Sequence, residues 1–131
     1  MGSLRIALLL AAVVTRAPAQ AQDHRALVVH ARTKVFGWAH EALQKMGYAI
    51  QRADSAAGVL VAERASALSP TIGNTYDQLE VHITAGNGDT TVVQIGASSW
   101  KQFPREVSRH RISRPSNQAE MDAQRLLEVL H

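Results

Sequence analysis

The stretch Asp77–Ala85 (DQLEVHITA) constrains this chain most, because Leu79, Val81 and Ile83 fall on one side of an extended strand and Glu80, His82 and Thr84 on the other. Hydrophobicity with a period of two fits a strand that has one face in a core and one in water, the usual state of an antiparallel sheet. Gly86-Asn87-Gly88-Asp89 follows, and Thr90–Ser98 returns with Val93, Ile95 and Ala97 on one face. The Asn-Gly pair is expected to supply the positive φ values of a tight turn. A hairpin of this kind cannot stay exposed, so other amphipathic elements must cover its apolar side.

Two helices are available for that. In Lys34–Met46 the residues Val35, Ala39, Ala42, Leu43 and Met46 form one helical stripe, with Thr33 placed to cap the start and Gly47 to end it. A second helix is expected from Asn117, with Asn117 as cap, Glu120 three residues on as in a capping box, and a stripe of Ala119, Ala123, Leu126, Leu127 and Leu130. Short strands are expected at Ala26–Ala31, Tyr48–Arg52 and Val59–Glu63, the last two joined by a turn at Asp54–Gly58. The fold class is therefore α+β, in the order β-α-β-β-β-β-α: an antiparallel sheet of four to five strands with two amphipathic helices on one face.

Alternate connections of a meander lie at opposite ends of its sheet. The turns at 54–58 and 86–89 share one end, and the connections 64–76 and 99–116 share the other with Gly47. Long connections in a compact domain are more often functional than idle.

Composition narrows the class. Residues 1–21 have a short cationic start, the nine apolar residues Ile6–Val14, and small residues at Ala17-Pro18-Ala19 and Ala19-Gln20-Ala21. This is the pattern of a signal peptide removed after Ala19 or Ala21, and the apolar run is far short of the ~20 residues of a membrane span. Residues 22–131 then form one α+β domain with 12 basic residues against 11 acidic, which gives no general reason to bind nucleic acid. The chain has no cysteine, so packing alone must stabilise it, and no Asn-x-Ser/Thr acceptor. The expected location is outside the cytoplasm, periplasmic or secreted, with a bacterial envelope the best fit.

Trp38 to Val61 (WAHEALQKMGYAIQRADSAAGVLV) carries a helix ending in a Met-Gly step, a strand, an Asp, three residues, a Gly and a second strand. This run resembles the helix-grip modules of outer-membrane lipoproteins, including the C lipoprotein of the β-barrel assembly machinery, and exported domains of unknown function. The resemblance covers about a quarter of the mature chain. It implies a fold and a compartment, with partner binding rather than catalysis as the role; the lipid-bearing cysteine of those lipoproteins is missing here.

The residues name no reaction. His24, His30, His40, His82, His110 and His131 lack the local spacings of a metal site, so neither a metal nor another cofactor is expected. No G-x-S-x-G occurs, since Gly96-Ala97-Ser98-Ser99 lacks the closing glycine; Asp54, Asp77, Glu63 and Glu80 are the carboxylates that could pair as acid and base, but Glu63 and Glu80 read as solvated on neighbouring strands. Gly86-Asn87-Gly88 opens no helix and is read as a turn, not a phosphate loop.

One stretch stands out. Between Trp100 and Arg114 five basic residues face a single acid, beside two aromatics, so the candidate binding surface is Trp100, Lys101, Phe103, Arg105, Arg109, Arg111 and Arg114. It suits an envelope protein or an anionic envelope component. The competing reading has Trp100 and Phe103 pinning the loop to the edge of the core while the arginines are merely solvated. The leading function is thus an exported binding or envelope-assembly accessory domain. The alternative is a small hydrolase or ligand-binding enzyme using a cleft between the helices and the concave sheet face; oligomeric state is left open.

Overall fold

The computed structural model describes residues 23–131, so the expected leader and both expected cleavage points lie outside the described residues. The chain runs β1 (Asp23–Val28), α1 (Arg32–Lys45), β2 (Ala49–Asp54), β3 (Val59–Ala67), β4 (Asn74–Ala85), β5 (Thr91–Gln102), β6 (His110–Arg111) and α2 (Asn117–Leu130). All strand pairings are antiparallel, in the spatial order β1-β5-β4-β3-β2, with the two-residue β6 also paired to β5. β1 pairs Thr91–Gly96 of β5 and β6 pairs Trp100 and Lys101, so they lie end to end along one side of that strand.

The architecture is the α+β class expected, but the sheet has six strands rather than four or five. β3, β4 and β5 are longer than their apolar alternation, so the connection expected over 64–76 shrinks to 68–73, and that over 99–116 contains the end of β5 and all of β6. Backbone ladders continue past the last apolar residue as long as both strands supply donors and acceptors. β1 begins and ends earlier than Ala26–Ala31, because its partners on β5 start at Gly96 and stop at Thr91.

Both helices cover one sheet face. Val35, Ala39 and Leu43 of α1 and Ala123, Leu126 and Leu130 of α2 are buried with Leu60, Leu79, Val81, Ile83, Val93 and Ile95 of the sheet. The helix ends differ from expectation at their starts. Thr33 does not cap α1; Ala31 precedes it without a side-chain cap, and Arg32 instead donates from Nη2 to the carbonyls of Ser55 (2.9 Å) and Ala56 (2.7 Å) and from Nε to Ile83 O (3.2 Å). At its other end, Gly47 with φ +91° donates to Gln44 O and Tyr48 to Leu43 O, the paired bonds of a Schellman motif.

Ser116, not Asn117, caps α2: its hydroxyl oxygen accepts from Ala119 N at 3.1 Å. Glu120 consequently falls outside a capping box and lies 2.9 Å from His24 Nε2, tying β1 to the helix. Replacing Ser116 by Ala is expected to cost about 1–2 kcal/mol, read as a lower urea midpoint at unchanged slope.

The turns behave in two ways. At the first, Asp54 Oδ1 accepts from Ala57 N (3.0 Å), and Gly58 has φ +72° with its carbonyl accepting from Ile83 N (2.7 Å). A Cβ there would collide with Ile83 O, which is why the position needs glycine. At the second, only Gly88 has positive φ; Asn87 does not, and the four-residue turn is closed by Gly86 N to Thr90 O (2.9 Å).

Candidate functional site

Two polar assemblies lie on opposite faces of the sheet, the first at the end away from these turns and the second running from that end toward them. The first is buried under the helices. Asp77 of β4 and Ser99 of β5 are cross-strand partners on the helix-facing side, and both are fully buried. Asp77 Oδ1 accepts from Ser99 Oγ (2.8 Å) and Ser116 Oγ (2.9 Å), while Ser116 N donates to Ser99 Oγ (2.9 Å). The N-terminus of α2 is thereby held on the sheet, where its dipole favours a carboxylate. Asp77 Oδ2 is buried with no hydrogen-bond partner, 4.0 Å from Arg64 Nη2.

Arg64 connects this group to α1. It donates from Nη2 to Asp122 Oδ2 (2.5 Å) and from Nη1 to Met46 O (3.2 Å), and lies over the Tyr48 ring at 4.5 Å. Asp122, also buried, accepts from Tyr48 Oη (2.8 Å) and Gln118 Nε2 (3.0 Å). Burial, reinforced by the bond to Asp122 and by that carboxylate's charge, pushes the Tyr48 phenol well above the usual tyrosine range.

This cluster holds two helices and three strands together, and its chemistry is structural. Ser99 is inaccessible and its hydroxyl donates to the Asp77 carboxylate. The space above the sheet, where a cleft was the alternative expectation, is filled by Leu43, Leu60, Leu79, Ile83, Ile95, Leu126 and Leu130.

The second assembly lies on the face that neither helix covers. Cross-strand pairing places Tyr76 beside Trp100 and Trp100 beside Arg111, then Gln78 beside Ser98, Glu80 beside Gly96, and His82 beside Gln94. Glycine at 96 and serine at 98 leave room between larger neighbours. A depression of about 380 Å³ results, lined by Glu80, His82, Gln94, Gly96, Ala97, Ser98 and Arg111. Trp100 donates from Nε1 to Ser98 Oγ (3.3 Å), and the Arg111 guanidinium is 5.7 Å from its ring.

The structure divides the seven candidate residues. Trp100, Arg109 and Arg111 belong to the open face, but Arg109 is an anchor: it donates to Glu63 Oε2 (2.6 Å) and stacks over Tyr76 at 4.0 Å. The Glu63 carboxylate accordingly holds the Arg109 guanidinium above its ordinary pKa. Glu63, read from the sequence as solvated, is thus the clamp that straps β6 across the sheet. Lys101, Phe103 and Arg105 gather at the sheet end instead, with Lys101 Nζ 5.3 Å from the Phe103 ring. Arg114 is exposed on the link to α2. Trp100 and Phe103 do not pin the loop to the core; Trp100 lies on the opposite face and Phe103 is 43 % exposed.

The sequence reading names neither Arg64 nor Asp122 and weighs Asp77 only as an acid–base carboxylate, although a signal for their burial exists. Each continues an apolar stripe by one step: Asp77 before Leu79, Val81 and Ile83; Arg64 after Leu60 and Ala62; Asp122 one turn from Ala119 and Leu126.

No protein-family model matches the chain, and no curated protein matches it in sequence. Among solved structures it is similar to an uncharacterised protein of Bacillus thuringiensis, at 9 % identity and a TM-score of 0.41 over 84 % of this chain and 95 % of that one. It is similar also to a DUF4468 family protein of Bacteroides ovatus, at 9 % identity and a TM-score of 0.40 over 83 % and 78 %. Likeness this loose assigns no role, and neither structure supports the lipoprotein side of the resemblance.

Proposed function

We propose that this chain is an exported binding module of the bacterial envelope, an accessory to assembly rather than a catalyst, that holds its partner on the open sheet face beside β6. The depression lined by Glu80, His82, Gln94, Ser98 and Arg111 carries this reading. Its volume falls within the range of ligand sites, and a guanidinium beside an indole suits an anion-bearing group with a flat face. The leader-like residues 1–21 and the absence, among the described residues, of any helix long and apolar enough to cross a membrane are compatible with it. On the opposite face the carboxylates of the polar cluster, Asp77 and Asp122, are buried.

The test places a photocrosslinker at position 82 in the producing cell, with position 121 on the exposed side of α2 as control. A discrete product from 82 and none from 121 is expected, reduced roughly tenfold by Arg111→Gln through loss of a charge-assisted contact. The recovered protein should begin at Gln20 or Gln22. No product from 82, equal products from both positions, or an N-terminus at Met1 would overturn the corresponding part of the proposal. Arg109 is left intact because removing it would release the strap as well as a charge.

A further inference from the structure

At the sheet end, loops 68–73 and 103–107 form a tip whose side chains contradict the usual polarity of exposed loops. Leu68, Ile72, Phe103 and Val107 are 68, 65, 43 and 92 % exposed. The loops touch: a Cβ on Gly73 would meet Gln102 O and Phe103 Cα. Residues 65–76 hold no charged residue at all, whereas the neighbouring loop has Lys101 and Arg105 flanking Phe103. Among the described residues no acid pairs with either cation, and the local acid, Glu106, lies 2.9 Å from His110 Nε2.

The backbone of the tip is unusual in the same direction. Ser69 N donates to Asn74 Oδ1 (3.1 Å), Ile72 N to Ser69 Oγ (3.1 Å) and Gly73 N to Ser69 O (2.9 Å), and Pro70 has no N–H. In the facing loop Gln102 Nε2 donates to the carbonyls of Glu106 (2.7 Å) and Val107 (3.3 Å). These bonds occupy three of the N–H groups of loop 68–73, which lowers the cost of moving that stretch of backbone out of water. Between the loops lies a hollow of about 320 Å³ with Ser69, Asn74, Gln102, Arg105 and Glu106 in its wall.

We infer that this tip docks on an anionic lipid bilayer, with Leu68, Ile72, Phe103 and Val107 entering the interfacial layer and Lys101 and Arg105 meeting the phosphates. Exposed apolar side chains supply the insertion and uncompensated cations beside them supply the preference for negative charge, the two contributions that interfacial binding combines. This surface is separate from the open-face depression, and either can exist without the other.

The experiment is co-sedimentation of protein expressed from the whole coding sequence with vesicles of phosphatidylcholine containing one quarter phosphatidylglycerol, and with pure phosphatidylcholine. All variants share one N-terminus, so any contribution of the leader cancels. Retention is expected on the anionic vesicles, weakening as salt is raised. Lys101→Gln with Arg105→Gln should lower partitioning roughly 25-fold, about fivefold for each cation. Leu68→Ser, Ile72→Ser, Phe103→Ser and Val107→Ser together should reduce it to the level on pure phosphatidylcholine while leaving the circular dichroism and urea midpoint unchanged. His82→Ala, on the open face, should leave it unaltered, which separates this inference from the crosslinking result. Equal retention on both vesicle types, or equal retention of wild type and the two tip variants, would overturn it.

Discussion

Arg64→Leu is expected to cost about 3–5 kcal/mol, a large part of the roughly 5–15 kcal/mol that stabilises a domain of this size. The arginine is the cation nearest two buried carboxylates, 2.5 Å from Asp122 Oδ2 and 4.0 Å from Asp77 Oδ2, and it also caps the carbonyl of Met46 at the end of α1. Leucine fills much of its volume but leaves Asp122 short of a donor, with Arg125 Nη1 at 3.9 Å as its remaining cation, and takes away the cation nearest Asp77. A charge stranded in a packed interior costs far more than the pair was worth in place. Because the guanidinium side chain keeps 25 % of its exposure, the lower half of the range is the better expectation. Chemical denaturation gives the check: the midpoint should fall sharply at unchanged slope, and Arg64→Leu with Asp122→Leu should recover part of the loss. A single variant within about 1 kcal/mol of wild type would mean that the interaction is no stronger than a surface ion pair.

Above about pH 10 the protein should lose stability through Tyr48. Burial and the bond to Asp122 keep the phenol protonated in the folded state over a range where an unfolded chain, whose tyrosines titrate near 10, has released the proton. The folded pKa is raised, so this contribution is complete below the unfolded value and declines as pH climbs past it. The folded state then binds the extra proton, and stability falls by about 1.4 kcal/mol per pH unit, or roughly 2–3 kcal/mol between about pH 10 and about pH 12. Tyr48→Phe should remove this slope, at the cost of one donor to Asp122. Denaturation midpoints across alkaline pH, wild type against variant, decide it; parallel curves would exclude Tyr48 as the source.

Both effects arise from residues that a sequence reading passes over for a definite reason. Alternation marks apolar faces, so the strand read at Asp77–Ala85 holds Asp77 at its edge, while those read at Val59–Glu63 and Thr90–Ser98 stop one residue short of Arg64 and Ser99. The same alternation carried one step further puts Asp77 and Ser99 under the helices, and Arg64 beside them. A charged residue in a core-facing position is usually taken as the point where the strand leaves the core. Here it remains inside because a partner arrives from elsewhere in the chain, and Asp122 lies 58 residues from Arg64. The basic stretch was visible as a cluster of charge, yet its division into an anchor on Glu63, a cation beside Trp100 and a pair at an apolar tip depends on strands paired across the sheet.

What the sequence determined by itself was therefore the local grammar: the hairpin over Asp77–Ser98, the two amphipathic helices, the Schellman end at Gly47 and the Asp54–Gly58 turn. Those features rest on interactions within a few residues, or on a periodicity written along one element. The tertiary structure alone decided the sixth strand, the cap at Ser116, the buried carboxylates and the separation of an open polar face from an apolar tip. In each of these a residue's state depends on what packs or pairs against it from a distant part of the chain, and burial, not residue type, sets whether a charge is solvated, anchored or locked inside.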